Sequence, residues 1–173
     1  MLNKTTRREM LRNTTLASLG VWAAGQRSAI ARSPNERLNV ACIGVGGRGA
    51  ANLNAVAREG ENIVALCDVD EERAGSAFER FPKAQKYYDF RKMLEEMEKQ
   101  IDAVVVSTPD HTHTGPSVMA MRMGKHVYCE KPLAHNVSEA RLMAQVAAEN
   151  KVATQLGTQH HARSTHRRVV ELI

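Results

Sequence analysis

Short apolar runs alternate with longer amphipathic segments along most of this chain. The apolar residues of the runs at 39–43, 62–67, 101–107, 125–129 and 151–156 are largely consecutive rather than alternating, and segments with helical spacing separate the runs. Continuous apolar strands separated by helices are typical of a parallel sheet that is covered on both faces. The pattern therefore predicts an α/β fold: a doubly wound, mostly parallel sheet with helices on both faces.

The predicted helices lie between these strands, and one short extended piece lies near Tyr87. The helical intervals are 47–59, 70–80, 89–99, 114–123, 136–149 and, at the end of the chain, 165–173. The last interval ends on apolar residues without a glycine or asparagine cap, which favours a helix that is cut rather than finished. We therefore expect one domain over 38–160, with 161–173 as the start of a connection to a missing domain.

A glycine-rich hexapeptide, 44–49, lies where the first predicted strand turns into the first helix. Its sequence, Gly-Val-Gly-Gly-Arg-Gly, fits the pattern G-x-G-x-x-G. Gly44 permits the tight turn, Gly46 lets the backbone approach a pyrophosphate, and Gly49 lets the helix pack closely on the strand. The start of the helix then offers free N–H groups and a positive dipole end to the phosphates.

An acidic residue completes this pattern at the end of the second predicted strand. Asp68 follows Gly49 by 19 residues, close to the spacing of a carboxylate that binds a ribose 2′-hydroxyl. The order of strand, turn, helix, strand and acid predicts a dinucleotide-binding Rossmann domain rather than a chance glycine-rich loop. A carboxylate repels a 2′-phosphate, so the predicted cofactor is NAD. NADP is possible because Arg73 lies close in sequence.

Three further polar segments follow predicted strands, at the edge where a doubly wound sheet binds its ligands. They are 107–113 (Ser-Thr-Pro-Asp-His-Thr-His), 130–132 (Glu-Lys-Pro) and 157–161 (Gly-Thr-Gln-His-His). No Cys-x-x-Cys or His-x-x-x-His spacing accompanies the histidines, so no metal is predicted, and a histidine lining a cofactor pocket is the better interpretation. Asp110 or Thr112 could equally cap the next helix.

Lys131 has two interpretations that spacing alone leaves equal. A lysine at the edge of a pocket could hydrogen-bond a substrate hydroxyl and handle its proton. The alternative is a surface Glu-Lys pair before the turn formed by Pro132.

Together, the glycine turn, Asp68, segment 107–113 and Glu130-Lys131-Pro132 resemble the Gfo/Idh/MocA oxidoreductases over about residues 38–173. The resemblance implies that a Rossmann domain binds NAD(H) or NADP(H) and that Lys131 is the catalytic residue beside the nicotinamide. It also implies a set of cofactor-binding residues: Gly44, Gly46, Gly47, Arg48, Gly49, Asp68, Ser107, Thr108, Pro109, His111 and Glu130.

Members of the family continue into a second α/β domain with substrate contacts and partner acid/base residues, which has no counterpart in these 173 residues. The expected function is therefore the NAD(P)-binding domain of a truncated oxidoreductase. Its full-length form would transfer hydride between nicotinamide and a sugar- or polyol-type substrate. The alternatives are a non-catalytic nucleotide-binding module and an inactive gene fragment, so whether this chain is itself an enzyme stays open.

The first 31 residues have the order of an export signal. Arg7 and Arg8 form a twin-arginine motif, an apolar run follows at 16–24, and Ala-Ile-Ala at 29–31 supplies a cleavage site. This order predicts export to the periplasm by the twin-arginine route, with 32–37 as a linker. A chance arginine pair or an uncleaved anchor is the alternative, although the run is shorter than the roughly 18 residues of a spanning helix.

The net charge of +5 is concentrated in this leader. Residues 1–31 carry +4, which leaves +1 for the other 142 residues. A nearly neutral body argues against nucleic-acid binding. The three cysteines, Cys42, Cys67 and Cys129, fall inside predicted strands and are expected to be buried small hydrophobes without a disulfide.

Overall fold

Six parallel strands form the single sheet of this computed structural model, which describes residues 37–162 and 164–172. The strand order is β3-β2-β1-β4-β5-β6. The strands are β1 (Asn39–Ile43), β2 (Asn62–Cys67), β3 (Gln85–Tyr87), β4 (Ala103–Val106), β5 (His126–Glu130) and β6 (Thr154–Gly157). The order reverses between β1 and β4, which makes this the switch point where doubly wound sheets bind ligands.

The first five helices each connect two consecutive strands, as the predicted doubly wound fold requires, and a sixth helix follows the last strand; the predicted fold is confirmed. The helices are α1 (Arg48–Arg58), α2 (Glu71–Arg80), α3 (Phe90–Glu96), α4 (Thr114–Arg122), α5 (Val137–Asn150) and α6 (Ser164–Glu171). None of the helices in the described ranges is long and apolar enough to cross a membrane. The predictions for the leader and for nearly all of the linker fall on residues 1–36, outside the described residues.

Most element boundaries lie within two residues of the sequence prediction, and two elements differ by more, each for a local reason. The predicted helix 89–99 is interrupted, because α3 ends early and a separate 3-10 turn follows at Glu98–Gln100. The predicted strand 151–156 begins only at its fourth residue. Lys151 adopts a left-handed conformation (φ 54°) as the C-cap of α5, so the chain turns there before it extends.

The apolar residues of the central strands pack against helices on both faces of the sheet. Val40 and Cys42 face α1 and α2, whereas Ala41 and Ile43 face the other side, in a cluster that includes residues of α3, α4 and α5. Side chains that alternate between two covered faces explain why the strands are continuously apolar. All three cysteines are buried and free, as predicted.

The helix N-termini differ in how they are capped. Asp70 caps α2 and Asn136 caps α5, each through a side-chain oxygen that accepts a backbone N–H three residues later. Helix α1 instead begins after Gly47, which has no side chain to accept such a bond. The first amides of α1 therefore keep no side-chain cap at the switch point of the sheet.

Candidate functional site

The glycine turn brings backbone segments closer together than side chains allow. A Cβ on Gly49 would lie 1.8 Å from the carbonyl oxygen of Gly44, so only glycine fits. Gly44 has a φ of +77°, and a Cβ there would lie 2.7 Å from the Ser107 carbonyl oxygen. These two contacts support the roles predicted for Gly44 in the turn and for Gly49 in close packing.

Gly46 faces a neighbouring helix. A Cβ at this position would lie 3.3 Å from the Cβ of Arg73 at the start of α2. The small residue therefore makes room for α2 in this structure, and the approach of its backbone to a pyrophosphate stays a prediction.

Asp68 ties the glycine turn to the end of β2. One carboxylate oxygen accepts the backbone N–H of Val45 at 2.8 Å and that of Gly46 at 3.2 Å, and the other accepts the N–H of Asp70 at 3.1 Å. The carboxylate therefore orients the turn as well as lining the adjacent cavity. A carboxylate has about four lone-pair sites, so Asp68 can accept these backbone N–H groups and still accept a hydrogen bond from a ribose hydroxyl.

Two adjoining cavities follow the carboxyl edge of the sheet. The first, the Asp68 cavity, has a volume of about 600 Å³ and lies between the glycine turn, the end of β2 and segment 107–112. The second, the Lys131 cavity, has a volume of about 550 Å³ and lies between the end of β5 and the segment after β6. Three residues line both cavities: Arg48, Ser107 and Thr108. The cavities therefore meet beside the start of α1.

Most of the predicted site residues line these cavities. Those of the Asp68 cavity, besides the three shared residues, are Gly44, Gly46, Asp68, Pro109 and His111; those of the Lys131 cavity are Glu130 and Lys131. Gly47 and Gly49 are not among the lining residues of either cavity. Their places are explained by the backbone instead, since Gly47 has a φ of +50° and Gly49 packs against the turn.

Glu130 is buried, with 5% of its surface exposed, and one of its oxygens, Oε1, is an acceptor for several groups. Arg48 donates from Nε at 3.1 Å and Asn52 from Nδ2 at 2.8 Å, and the amide of Gln159 also donates to this oxygen. Although burial raises the pKa of Glu130, the hydrogen bonds from these three residues hold it below its ordinary value. The carboxylate is therefore an ionised centre that joins α1, β5 and the segment after β6.

A second buried polar group, His113, holds two loops together. Its ring is 1% exposed; Nδ1 lies 2.7 Å from the carbonyl oxygen of Pro132 and Nε2 lies 2.8 Å from that of Thr108. The ring therefore links the segment after β4 to the segment that carries Lys131. Of the two alternatives for the cap of α4, neither is observed, because His113 is the N-cap and the Thr112 hydroxyl donates to the Pro109 carbonyl.

Asn52 shapes this site without any prediction from the sequence, whereas His113, Gly157 and Gln159 were predicted only as members of segments 107–113 and 157–161 at the ligand-binding edge. Asn52 carried a usable signal, because it lies one helical turn after Arg48 on a helix that packs against the sheet. Gly157 leaves the room that Glu130 occupies, since a Cβ there would lie 2.9 Å from the Glu130 Cδ.

The described ranges contain no group of three or more His, Cys, Asp or Glu residues that could hold a metal ion. His111 lines the Asp68 cavity, whereas His113 makes the carbonyl contacts described above and His161 stacks on His166 with ring centroids 5.0 Å apart. The histidines are therefore distributed among separate contacts.

The sequence and the fold resemble known proteins. The family described as "Oxidoreductase family, NAD-binding Rossmann fold" (GFO_IDH_MocA) matches residues 38–158. A glycosyl hydrolase family 109 protein of Solibacter usitatus is 33% identical over 80% of this chain and 35% of its own length. An inositol 2-dehydrogenase of Rubrobacter xylanophilus is 34% identical over 68% of this chain and 34% of its own length.

A solved structure shows the same similarity. GenD2 from gentamicin A biosynthesis, in complex with NAD, matches with a TM-score of 0.71 at 27% identity, over 79% of this chain and 38% of that chain. The chain thus spans about a third of the length of the curated relatives it matches. The chain belongs to the Gfo/Idh/MocA oxidoreductase family and comprises its NAD-binding Rossmann domain.

Proposed function

We propose that the full-length form of this protein is an oxidoreductase that transfers hydride between NAD and a sugar- or polyol-type hydroxyl. The observation that carries the proposal is the arrangement of the two cavities, with Asp68 in one and Lys131 in the other. A carboxylate suited to a ribose and an amine suited to a substrate hydroxyl thus lie along one edge of the sheet.

The residues present fit a dinucleotide. Its two nucleoside halves are joined by a pyrophosphate, and the two cavities are joined beside the uncapped start of α1. The adenosine half would be held by Asp68, and the nicotinamide half would lie toward Lys131. The glycine turn is also consistent with this fit. Side chains at Gly44 and Gly49 would clash with the backbone, so the turn stays tight and carries no side chain at either position.

Lys131 would handle the proton of the reaction, while bound NAD would accept or supply the hydride. Its side chain is exposed to the Lys131 cavity directly after β5, and the bond between His113 and the Pro132 carbonyl holds the following residue. An amine in this place can hydrogen-bond the substrate oxygen and exchange a proton with it as the carbon is oxidised or reduced.

The names of the relatives support the substrate class. They include an inositol 2-dehydrogenase and, at 36% identity over 65% of this chain, a 1,5-anhydro-D-fructose reductase of Ensifer adhaerens. A second candidate is glycoside cleavage without net change of the cofactor. It is favoured by the relative matched over 80% of this chain, which is named a glycosyl hydrolase family 109 protein.

The test makes two measurements on each of two proteins, the 173-residue chain and any in-frame extended version of it. Net NADH formation is measured with a panel of sugars and polyols, and nitrophenol release is measured with nitrophenyl glycosides. Net NADH formation supports the oxidoreductase, and nitrophenol release without NADH supports the glycosidase. In the 173-residue chain we expect NAD binding without turnover, because positioning a substrate carbon contributes much of the rate and the family's second domain provides it.

Lys131→Ala should abolish turnover in the extended form while leaving NAD binding in place. Lys99→Ala is the matched control, since Lys99 is exposed in the 3-10 turn that precedes β4, away from the carboxyl edge. Full activity of the Lys131 variant would contradict the role proposed for this amine. Turnover by the 173-residue chain itself would show that a second domain is not needed.

We also propose that the protein is exported to the periplasm through its twin-arginine leader. Replacing Arg7 and Arg8 by lysine should retain the precursor in the cytoplasm, because the pair is read by a receptor rather than by its charge. Arg27→Lys in the same leader is the control and should be exported. Export of the double-lysine form with cleavage after Ala31 would identify an ordinary secretory signal.

A further inference from the structure

Arg48 lies where the Asp68 cavity and the Lys131 cavity meet. Its side chain is 50% exposed, and its Nε donates to Glu130 at 3.1 Å. A guanidinium has five N–H donors, and this bond uses one of them. Within residues 37–162 and 164–172, no hydrogen-bond partner is found for its two terminal nitrogens. The guanidinium therefore keeps a pair of free donors at the junction of the cavities.

The partner of Arg48 is itself held in place from several sides. The Glu130 oxygen that accepts from Arg48 also accepts from Asn52 and Gln159, and the second amide hydrogen of Asn52 is available to the Ser107 hydroxyl at 2.9 Å. Gly157 leaves only enough room for this carboxylate. A buried acceptor with fixed neighbours orients the guanidinium, so little entropy is lost when its terminal nitrogens bind a ligand.

The junction suits a ligand with two linked phosphates. A guanidinium presents parallel N–H groups that match phosphate oxygens, and the uncapped start of α1 adds backbone N–H groups and a positive dipole end. The Thr108 hydroxyl, which belongs to a residue lining both cavities, is buried and has no hydrogen-bond partner among the described residues. Arg48 and Thr108 line both cavities and α1 begins at Arg48, so these groups belong to the junction where the two halves of a dinucleotide would join.

We propose that Arg48 binds the pyrophosphate of the cofactor and that Glu130 acts as a positioning residue for Arg48 rather than as a cofactor contact. The inference rests on the proposed placement of NAD along both cavities. Under this proposal the Arg48 side chain contributes to pyrophosphate binding, which would otherwise rest only on the glycine turn and the α1 amides. The buried network around Glu130 also gains a function in binding, because the network sets the direction of the guanidinium.

The test is calorimetric titration of the 173-residue chain with adenosine, AMP, ADP-ribose and NAD. Arg48→Gln should weaken ADP-ribose and NAD by about tenfold or more, the scale of a lost charge-assisted hydrogen bond, and leave adenosine unchanged. Arg48→Lys keeps the charge without the planar guanidinium, so its affinity for ADP-ribose should lie between those of the unaltered chain and Arg48→Gln. Arg122→Gln removes an exposed cation at the end of α4 and is the matched control.

Glu130→Gln tests the positioning role through a double-mutant cycle. The substitution should weaken ADP-ribose in the background that contains Arg48 and have no further effect in the Arg48→Gln background. An equal loss for adenosine and ADP-ribose in Arg48→Gln would show that Arg48 supports the fold, and would overturn the proposal. Unchanged ADP-ribose affinity in Arg48→Gln would overturn it as well.

Two controls keep the outcomes separate. The urea midpoint of each variant shows whether it is folded, and Arg48→Lys decides the question if Arg48→Gln does not fold. Failure of the unaltered chain to bind NAD at all would overturn the proposed placement of the cofactor, and with it the role of Arg48. If the unaltered chain binds NAD normally and the Arg48 substitutions leave the affinity unchanged, only the role of Arg48 is overturned.

Discussion

Replacing Gly49 by alanine should open the glycine turn. The added Cβ would lie 1.8 Å from the Gly44 carbonyl oxygen, which is 1.6 Å short of the 3.4 Å at which ordinary contact begins. The obstacle is backbone, so no side-chain rotation relieves it. Either the start of α1 or the end of β1 must move by more than 1 Å, on the order of the full deficit of that contact.

The change in the free energy of unfolding of Gly49→Ala follows from two opposing effects. Insertion of a methyl group into a packed site typically costs about 1–3 kcal/mol, and a backbone clash of this depth lies at the upper end. The change from glycine to alanine within a helix returns about 0.5–1 kcal/mol. The expected net loss is therefore about 2 kcal/mol, which lowers the urea midpoint by about 1 M for a denaturant dependence of about 2 kcal/mol per M.

Gly75→Ala is the matched control, because Gly75 also lies in a helix, α2, and no atom lies within 4 Å of an added Cβ. This variant should be more stable than the unaltered chain by about 0.5–1 kcal/mol. Urea unfolding followed by far-ultraviolet circular dichroism measures both changes, and NAD titration should show weakened binding only for Gly49→Ala. Equal urea midpoints for the two variants would refute the argument from close backbone packing.

Three further predictions concern Asp68, Glu130 and the cysteines. Asp68→Ala should weaken NAD by about 1–3 kcal/mol, the scale of a lost charge-assisted hydrogen bond; tighter binding of NADP than of NAD by the unaltered chain would contradict its role. Because the folded-state pKa of Glu130 is lowered, its contribution is present above the ordinary pKa of 4.5 and lost as the pH falls through the folded value. Below about pH 4.5 the urea midpoint should therefore fall less steeply with pH in Glu130→Gln than in the unaltered chain. Parallel pH dependences of the two midpoints would contradict this. Burial raises the pKa of Cys42 and Cys67 to about 12 and that of Cys129 to about 11, so a thiol reagent at pH 8 should label none of them before the chain unfolds.

The sequence alone determined the first half of the fold with high accuracy. The predicted strands 39–43 and 62–67 coincide with β1 and β2, and the glycine turn lies between β1 and α1 as expected. These features are local: a continuous apolar run, glycines at a strand end and an acid at a fixed spacing all lie within about 30 residues, the length of a βαβ unit. The carboxylate of Asp68 meets the turn because β1 and β2 are paired neighbours.

The same local information predicted which loops lie at the ligand-binding edge. Parallel strands place all their carboxyl ends together, so segments 107–113 and 130–132 converge once the sheet is assumed. It did not predict the start of β6, because the left-handed conformation of Lys151 caps the preceding helix and the residue types in 151–156 do not reveal it.

Only the tertiary structure decided what Glu130 does. Its partners Arg48 and Asn52 lie 82 and 78 residues away along the chain, on a helix whose position depends on the strand order. Sequence spacing carries no signal over such separations, since many residues of the right type are equally distant. The room for this carboxylate is likewise supplied by Gly157, on the adjacent strand β6, whose missing side chain has meaning only after β5 and β6 are paired in register.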